Sequence, residues 1–362
     1  MSELARTPLY QRHRKAGARL VPFAAWEMPV QYAGVIDEVR AVRHDAGLFD
    51  VSHMGQLRVT GAAAEDFLQR ALANDLARIE VGHAQYTLLT NERGGIVDDL
   101  IAYREQDGFL LVVNASNIAT DLAHLSSQMT GEQVALADES PAHAMLALQG
   151  PRALALLGPL REAGFDAAAA PPFAFGAMRV AGVECTCART GYTGEPGVEL
   201  ICRSADAVRL WDAIVAAGAV PCGLGARDAL RLEVCYPLHG QDITPETNAI
   251  EAGLGWVCAL DKEFTGAAEL RRTKAAGRAR ALVAFAMVEP RAIPRPGCEI
   301  VVGDTAIGTV TSGTFSPTLG SGIGMGYVPS ALAELGTPIT VDVRGRALAA
   351  TVARKPLYSK EL

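Results

Sequence analysis

Two aspartates stand side by side in an apolar run: Ile96-Val-Asp98-Asp99-Leu-Ile-Ala-Tyr103. The run has the composition of a strand, and an ionised carboxylate inside it is costly unless something pairs with it or binds it. Side chains alternate along a strand, so Asp98 and Asp99 point to opposite faces and only one can serve a given pocket. Asp99 shares its face with Val97, Ile101 and Tyr103, an apolar wall with one aromatic hydroxyl. That wall suits a flat heterocyclic ligand. The competing account is a hairpin whose solvated edge both aspartates cap. Gly94 and Gly95 in the preceding Asn91-Glu-Arg-Gly94-Gly95 permit the positive φ that a hairpin loop needs.

A second group of polar residues lies further along. Glu199 follows the dense turn Gly191-Tyr-Thr-Gly-Glu-Pro-Gly197 within another strand pattern. A carboxylate there can grip an amino-pyrimidine edge through two hydrogen bonds, as acidic side chains read nucleobase amino groups. Tyr192 can stack or offer its hydroxyl. Arg227 can meet a carbonyl oxygen, or pair with Glu199 and orient it. A plain Glu–Arg ion pair is the simpler account of these residue types. Pro221-Cys-Gly223-Leu-Gly225-Ala-Arg227-Asp228 fails the dinucleotide fingerprint, because Asp228 stands where the last glycine belongs. Its glycines still permit close backbone approach to a ligand ahead of a helix. No Walker-type loop and no Gly-x-Ser-x-Gly elbow occurs. His44, His53 and His239 lack ligand spacing and read as satisfied structural histidines.

These groups need elements to position them. Gln56–Thr60 reads as a strand, Ala62–Leu76 as a helix, and Gln85–Thr90, Ile96–Tyr103 and Phe109–Val113 as strands. Ser116–Met129 is an amphipathic helix with Ser116 as cap, and Gln133–Ala137 closes the sheet. The order β-α-β-β-β-α-β is close to a ferredoxin-like split unit. Met178–Ala188 and Val198–Cys202 alternate as strands; Ala205–Ala217 and Ala226–Val234 read as helices. From Ala281 to Pro356, short strands punctuated by Gly and Pro predict a small β-barrel or sandwich.

The totals narrow the function. The chain has 362 residues, 49% hydrophobic and 20% charged, a globular composition with room for two or three domains. A net charge of -7 without a Lys/Arg run argues against nucleic acid or anionic lipid as partner. No apolar stretch approaches a membrane span, and residues 1–20 have no signal-peptide core, so a soluble intracellular protein is expected. The seven cysteines include no Cys-x-x-Cys; buried free thiols are expected, and no zinc site.

Taken in order, nine segments resemble the aminomethyltransferases of the glycine cleavage system, the T-protein family. They are Arg6-Thr-Pro-Leu-Tyr10, Trp26-Glu-Met-Pro-Val30, Gly47-Leu-Phe-Asp-Val-Ser-His-Met-Gly55, Asn91–Leu100, Leu148-Gln-Gly-Pro151, Gly191-Tyr-Thr-Gly194, Gly223-Leu-Gly-Ala-Arg-Asp228, Leu230-Arg-Leu-Glu233 and Thr311-Ser-Gly-Thr-Phe-Ser-Pro-Thr318. The resemblance spans nearly the whole chain. It implies an α+β fold, a three-domain clover-leaf with a ferredoxin-like central unit, antiparallel sheets and a C-terminal β-barrel. The expected domains are 1–54 with 139–270, binding folate; 55–138, ferredoxin-like and inserted; and 279–362, the barrel.

The family transfers a one-carbon unit from an aminomethyl group on the lipoyl arm of H-protein to tetrahydrofolate, releasing ammonia and forming 5,10-methylenetetrahydrofolate. Carried over by position, the catalytic aspartate is Asp99, in agreement with the face argument. Folate contacts fall on Glu199, Arg227 and Tyr192, with further lining at Met54, Tyr86, Ile101, Tyr103, Val113 and Asn114. Asp99 would orient the folate nitrogens, and proximity in a water-poor pocket would supply most of the rate. Tetrahydrofolate is the co-substrate and no metal is expected. The expected partner is lipoylated H-protein, with no nucleic acid and no membrane, in a cytoplasmic monomer. Pro196 stands where the family favours an acidic residue or Asn, and Ala267 and Ala268 replace a longer polar side chain. Tyr358 is not carried over as a contact because the tail is short. One alternative is a non-catalytic folate-binding relative, whose Lys-Gly-Cys-Tyr-x-Gly-Gln-Glu signature is missing at His239-Gly-Gln-Asp242. Another is a folate-dependent demethylase, a type often fused to an oxidase domain that this chain lacks.

Overall fold

The structure, a computed structural model, describes residues 4–131, 133–303 and 305–360. It is a mixed α/β fold with several sheets and a closed antiparallel barrel of six strands near the C-terminus. This matches the expected class. The chain divides into two compact units: residues up to Ala71 with Leu76–Thr87 and Asp99–Arg227, and Leu72–Asp75 with Leu88–Asp98 and residues from Asp228 onward. Among the described residues no helix is long and apolar enough to cross a membrane.

The first unit holds a seven-stranded sheet in the order Arg161–Gly164, Phe175–Val180, Val183–Ala188, Gly197–Arg203, His143–Gln149, Gly47–Asp50 and Val220–Cys222. All neighbours are antiparallel except the last pair. Its core is Leu48, Leu146, Leu148, Val180, Val198, Leu200 and Trp211, with three of the expected free thiols, Cys185, Cys187 and Cys202. Burial raises the pKa of each of these thiols, which makes them inert packing groups. The run Met178–Ala188 is not one strand but a hairpin, because Ala181 and Gly182 take positive φ of 48° and 71°.

A five-stranded sheet runs in the order Ala84–Thr90, Ile96–Glu105, Gly108–Val113, Gly55–Thr60 and Ala135–Asp138. The expected β-α-β-β-β-α-β sequence is present. The helix read over Ala62–Leu76 is only Ala64–Ala71. Leu72 instead bridges Leu89, and Ala73 donates to Leu88 O, so strand-like pairing overrides a helical pattern. Ser116 does not cap the next helix; Asn117 occupies the N-cap of Ile118–Ser127 and receives the Ser116 hydroxyl.

In the second unit the barrel encloses Val283, Phe285, Ile300, Val310, Val328, Val341 and Val352. The Asn91–Gly95 loop packs there. Asn91 accepts from the main-chain N–H groups of Arg93 and Gly95 and donates to Pro245 O at 2.8 Å. Gly94 has φ of 70°, whereas Gly95 is needed for contact: a Cβ there would lie 1.8 Å from Pro245 O.

Candidate functional site

Every candidate residue falls within the first unit. The register of the five-stranded sheet arranges several of them. Ile101 pairs with Val112, and Val112 with Gln56. Continued by two residues, the same register puts Asp99, Asn114 and Met54 in one row on one face. Asp99 is part-buried, as are Met54, Tyr86, Ile101 and Asn114, whereas Asp98 is fully buried. Neither aspartate therefore sits at a solvated hairpin edge. The Tyr86 hydroxyl donates to Asp99 Oδ2 at 2.9 Å, and Asn114 Nδ2 donates to Asp99 Oδ1 at 2.9 Å and to Asp99 O at 3.0 Å.

Two lining candidates are placed differently. Val113 is fully buried and pairs with Gly55, so its side chain lies on the face away from Asp99. A Cβ on Gly55 would meet Val113 Cγ2 at 2.6 Å and Ile118 Cγ1 at 2.5 Å. Tyr103 shares the Asp99 face but is completely buried, edge-on to Phe175 at a centroid distance of 5.2 Å. Its hydroxyl lies 3.4 Å from Thr190 Oγ1, and Thr190 in turn donates to Glu199 Oε2 at 2.5 Å. Tyr103 thus backs the second polar group rather than lining a surface.

Glu199 is only 7% exposed. Burial pushes its carboxyl pKa up, against the Thr190 hydrogen bond and the charge of Arg227, which pull it down. Arg227 stacks its guanidinium 4.7 Å above the Tyr192 ring. Burial lowers its pKa, partly offset by the charge of Glu199. Arg227 Nη1 is buried and has no hydrogen-bond partner among the described residues.

The turn that carries Tyr192 is fixed from below. Thr193 donates to Gln149 Oε1 at 2.9 Å, while Gln149 Nε2 reaches Thr190 O at 3.2 Å and Val198 O at 3.3 Å. Buried Arg43 grips Thr193 O at 2.8 Å and Glu195 Oε1 at 3.0 Å. Gly191 has no room for a side chain, since a Cβ would sit 2.0 Å from Gln149 Oε1. The glycines before Arg227 make room for the protein itself, Gly225 for the Val35 side chain at 2.6 Å from a built Cβ. A Cβ on Gly223 would lie 2.4 Å from Val30 C, and the Gly223 N–H is taken by the buried Glu38 carboxylate at 2.8 Å. Helix Leu224–Glu233 starts from that anchor and carries Arg227.

His53 is not a satisfied histidine. It is 2% exposed and edge-on to Phe23 at 5.7 Å, and its buried Nδ1 has no partner among the described residues. Burial drops its pKa to about 4; Asp50 pulls upward and Arg227 pushes further down. Asp50 itself accepts from Thr7 Oγ1 at 2.6 Å and contacts His13 Nε2 at 2.8 Å, while Tyr32 meets His13 Nδ1 at 2.8 Å. Sequence reasoning missed Thr190, Gln149, Arg43, Glu38 and this network. Gln149, Thr7 and Asp50 left a trace only as parts of the segments Leu148-Gln-Gly-Pro151, Arg6–Tyr10 and Gly47–Gly55.

Residues 9–262 match the family described as the GCVT N-terminal domain, and residues 280–359 match the glycine cleavage T-protein C-terminal barrel domain. The chain belongs to the glycine cleavage T-protein (aminomethyltransferase) family. An aminomethyltransferase of Geobacillus kaustophilus is 46% identical over 365 residues, covering 99% of each chain. One from Rubrobacter xylanophilus is 48% identical over 360 residues, covering 99% of this chain and 95% of its own. The crystal structure of glycine cleavage system aminomethyltransferase T from Bartonella henselae superposes with a TM-score of 0.90 at 36% identity, covering 98% of both chains. The activity of this T-protein family is aminomethyl transfer in glycine cleavage with tetrahydrofolate, and a place in that system implies interaction with H-protein.

Proposed function

We propose that this T-protein takes the one-carbon unit from the aminomethyl-lipoyl group of H-protein and delivers it to tetrahydrofolate, releasing ammonia and forming 5,10-methylenetetrahydrofolate. Tetrahydrofolate supplies the two amine nitrogens that accept the carbon. The observation that carries the reading is Asp99, held by Tyr86 and Asn114 on a part-buried wall with Met54 and Ile101. In this reading Asp99 is the catalytic residue: its anion orients the acceptor nitrogens and stabilises positive charge that develops beside it.

The second group fits the pterin. Glu199 offers acceptors for an amino-pyrimidine edge, Arg227 Nη1 is a buried donor without a partner among the described residues, and Tyr192 supplies an aromatic face. Asp99 and Tyr103 are four residues apart on one strand, roughly 13 Å, and Tyr103 is joined to Glu199 through Thr190. Tyr103 supports this site through Thr190, and Val113 through packing behind the sheet. The reading involves no metal ion.

The reading includes the lipoylated form of H-protein as donor, a monomeric chain, a cytoplasmic setting, and no nucleic-acid or membrane partner. The bacterial origin of the curated relatives supports the setting. The three-domain division at 1–54 with 139–270, 55–138 and 279–362 is part of the same proposal. The test is release of ammonia and methylenetetrahydrofolate from aminomethyl-loaded H-protein, with and without tetrahydrofolate. Rapid release only with the folate is expected; equal rates in both would sink the reading.

A further inference from the structure

The resemblance carries Asn114 and Tyr86 over as lining residues, but both make hydrogen bonds to Asp99 itself. We propose that they are positioning residues that fix the Asp99 carboxylate, and that their contribution to turnover passes through it. This rests on the reading of Asp99 given above.

The geometry is a clamp from two flanking strands. Asn114 stands directly across from Asp99 in the register that pairs Ile101 with Val112. Its nitrogen spans Asp99 O at 3.0 Å and Oδ1 at 2.9 Å. A side-chain oxygen tied to the same donor as its own main-chain oxygen loses its freedom to rotate. Tyr86, from the strand on the other side, holds Oδ2 at 2.9 Å. Both oxygens are therefore committed to a fixed plane.

Asn114 is itself held. It follows the Gly108–Val113 strand immediately, and its carbonyl accepts from Asn117 N at 2.9 Å in the turn that opens helix Ile118–Ser127. The donor is thus anchored by a strand on one side and a helix start on the other. A carboxylate already aligned pays no reorganisation when charge develops near it. Misplacement by about 1 Å can cost on the order of a hundredfold in rate.

The clamp predicts a rate effect without a binding effect. Asn114→Ala and Tyr86→Phe should each lower kcat by about tenfold to a hundredfold. The dissociation constant of tetrahydrofolate, read by calorimetry, should stay within about threefold, since the loss is confined to the transition state. In an Asp99→Asn background neither change should lower the residual rate further, because the group they position is gone. Tyr86→Phe keeps the ring and its packing, so it reports even where Asn114→Ala folds poorly. The proposal is overturned by folate binding weakened about tenfold with kcat intact, which would make both residues ligand contacts only. Undiminished turnover in both variants also overturns it. Absence of folate-dependent turnover in the unaltered chain would instead overturn the function on which it rests.

Discussion

Glu199 and Arg227 attract each other without closing an ion pair. Each charge shifts the other's titration, yet among the described residues no carboxylate–guanidinium contact within 4.0 Å joins them. Their hydrogen-bonding and stacking partners lie elsewhere, on Thr190 and on the Tyr192 ring. A structural salt bridge would have satisfied both groups. The separated pair leaves Arg227 Nη1 as a buried donor with no partner among the described residues.

Glu199 should trade stability for binding. Its folded-state pKa is raised above the ordinary 4.5. The stability it contributes is present when it is protonated, and is lost as pH rises through the folded value. Glu199→Gln should therefore unfold at a higher temperature than the unaltered chain near neutrality, by a margin that grows from about pH 4.5 upward. The same change should weaken tetrahydrofolate binding by about tenfold or more. Melting curves across pH, paired with calorimetry, check both signs. A variant less stable at neutral pH would refute the account of Glu199.

Arg227 gives the complementary case. Arg227→Met keeps a long apolar stem over Tyr192 but removes the buried charge. Folate affinity should fall by about ten- to a hundredfold while the melting temperature changes little, because the desolvation cost of the buried guanidinium and the attraction it gives Glu199 are lost together. A large loss of stability with unchanged affinity would assign Arg227 to structure instead.

His53 predicts an acid-side weakness. Its folded pKa of about 4 lies below the ordinary 6.5, so the folded ring stays neutral where the unfolded chain takes up a proton. Stability from this group is full above pH 6.5 and drains as pH falls toward about 4, by about 3 kcal/mol in all. His53→Leu should flatten that part of the urea-unfolding profile. Parallel profiles for the two proteins would remove His53 from the acid response.

The strand bearing Asp98 and Asp99 was legible because alternation is a local rule, and it correctly assigned one carboxylate to each face. The barrel was legible from punctuation by Gly and Pro. The failures share a cause, namely pairing with distant residues. Leu72 leaves a helical pattern to bridge Leu89, and the hairpin inside Met178–Ala188 hides behind unbroken alternation except at Gly182. Gly223 looks like a ligand cradle until Val30 is found against it. Thr190 carries no signal of its own; only the fold brings it between Tyr103 and Glu199. Residue types and the glycine-rich turn singled out Glu199, Arg227 and Tyr192 but allowed an ordinary ion pair, and the resemblance supplied the choice of folate.

The most direct test of the central claim is the single-turnover rate of methylenetetrahydrofolate formation from aminomethyl-loaded H-protein, measured for the unaltered chain and for Asp99→Asn. The substitution keeps the side-chain shape, removes the charge and turns one of the two accepting oxygens into an NH2 donor. The account predicts a rate lower by about a hundredfold or more, with tetrahydrofolate still bound and the melting temperature little changed. An Asp99→Asn chain that forms product at the unaltered rate would contradict it.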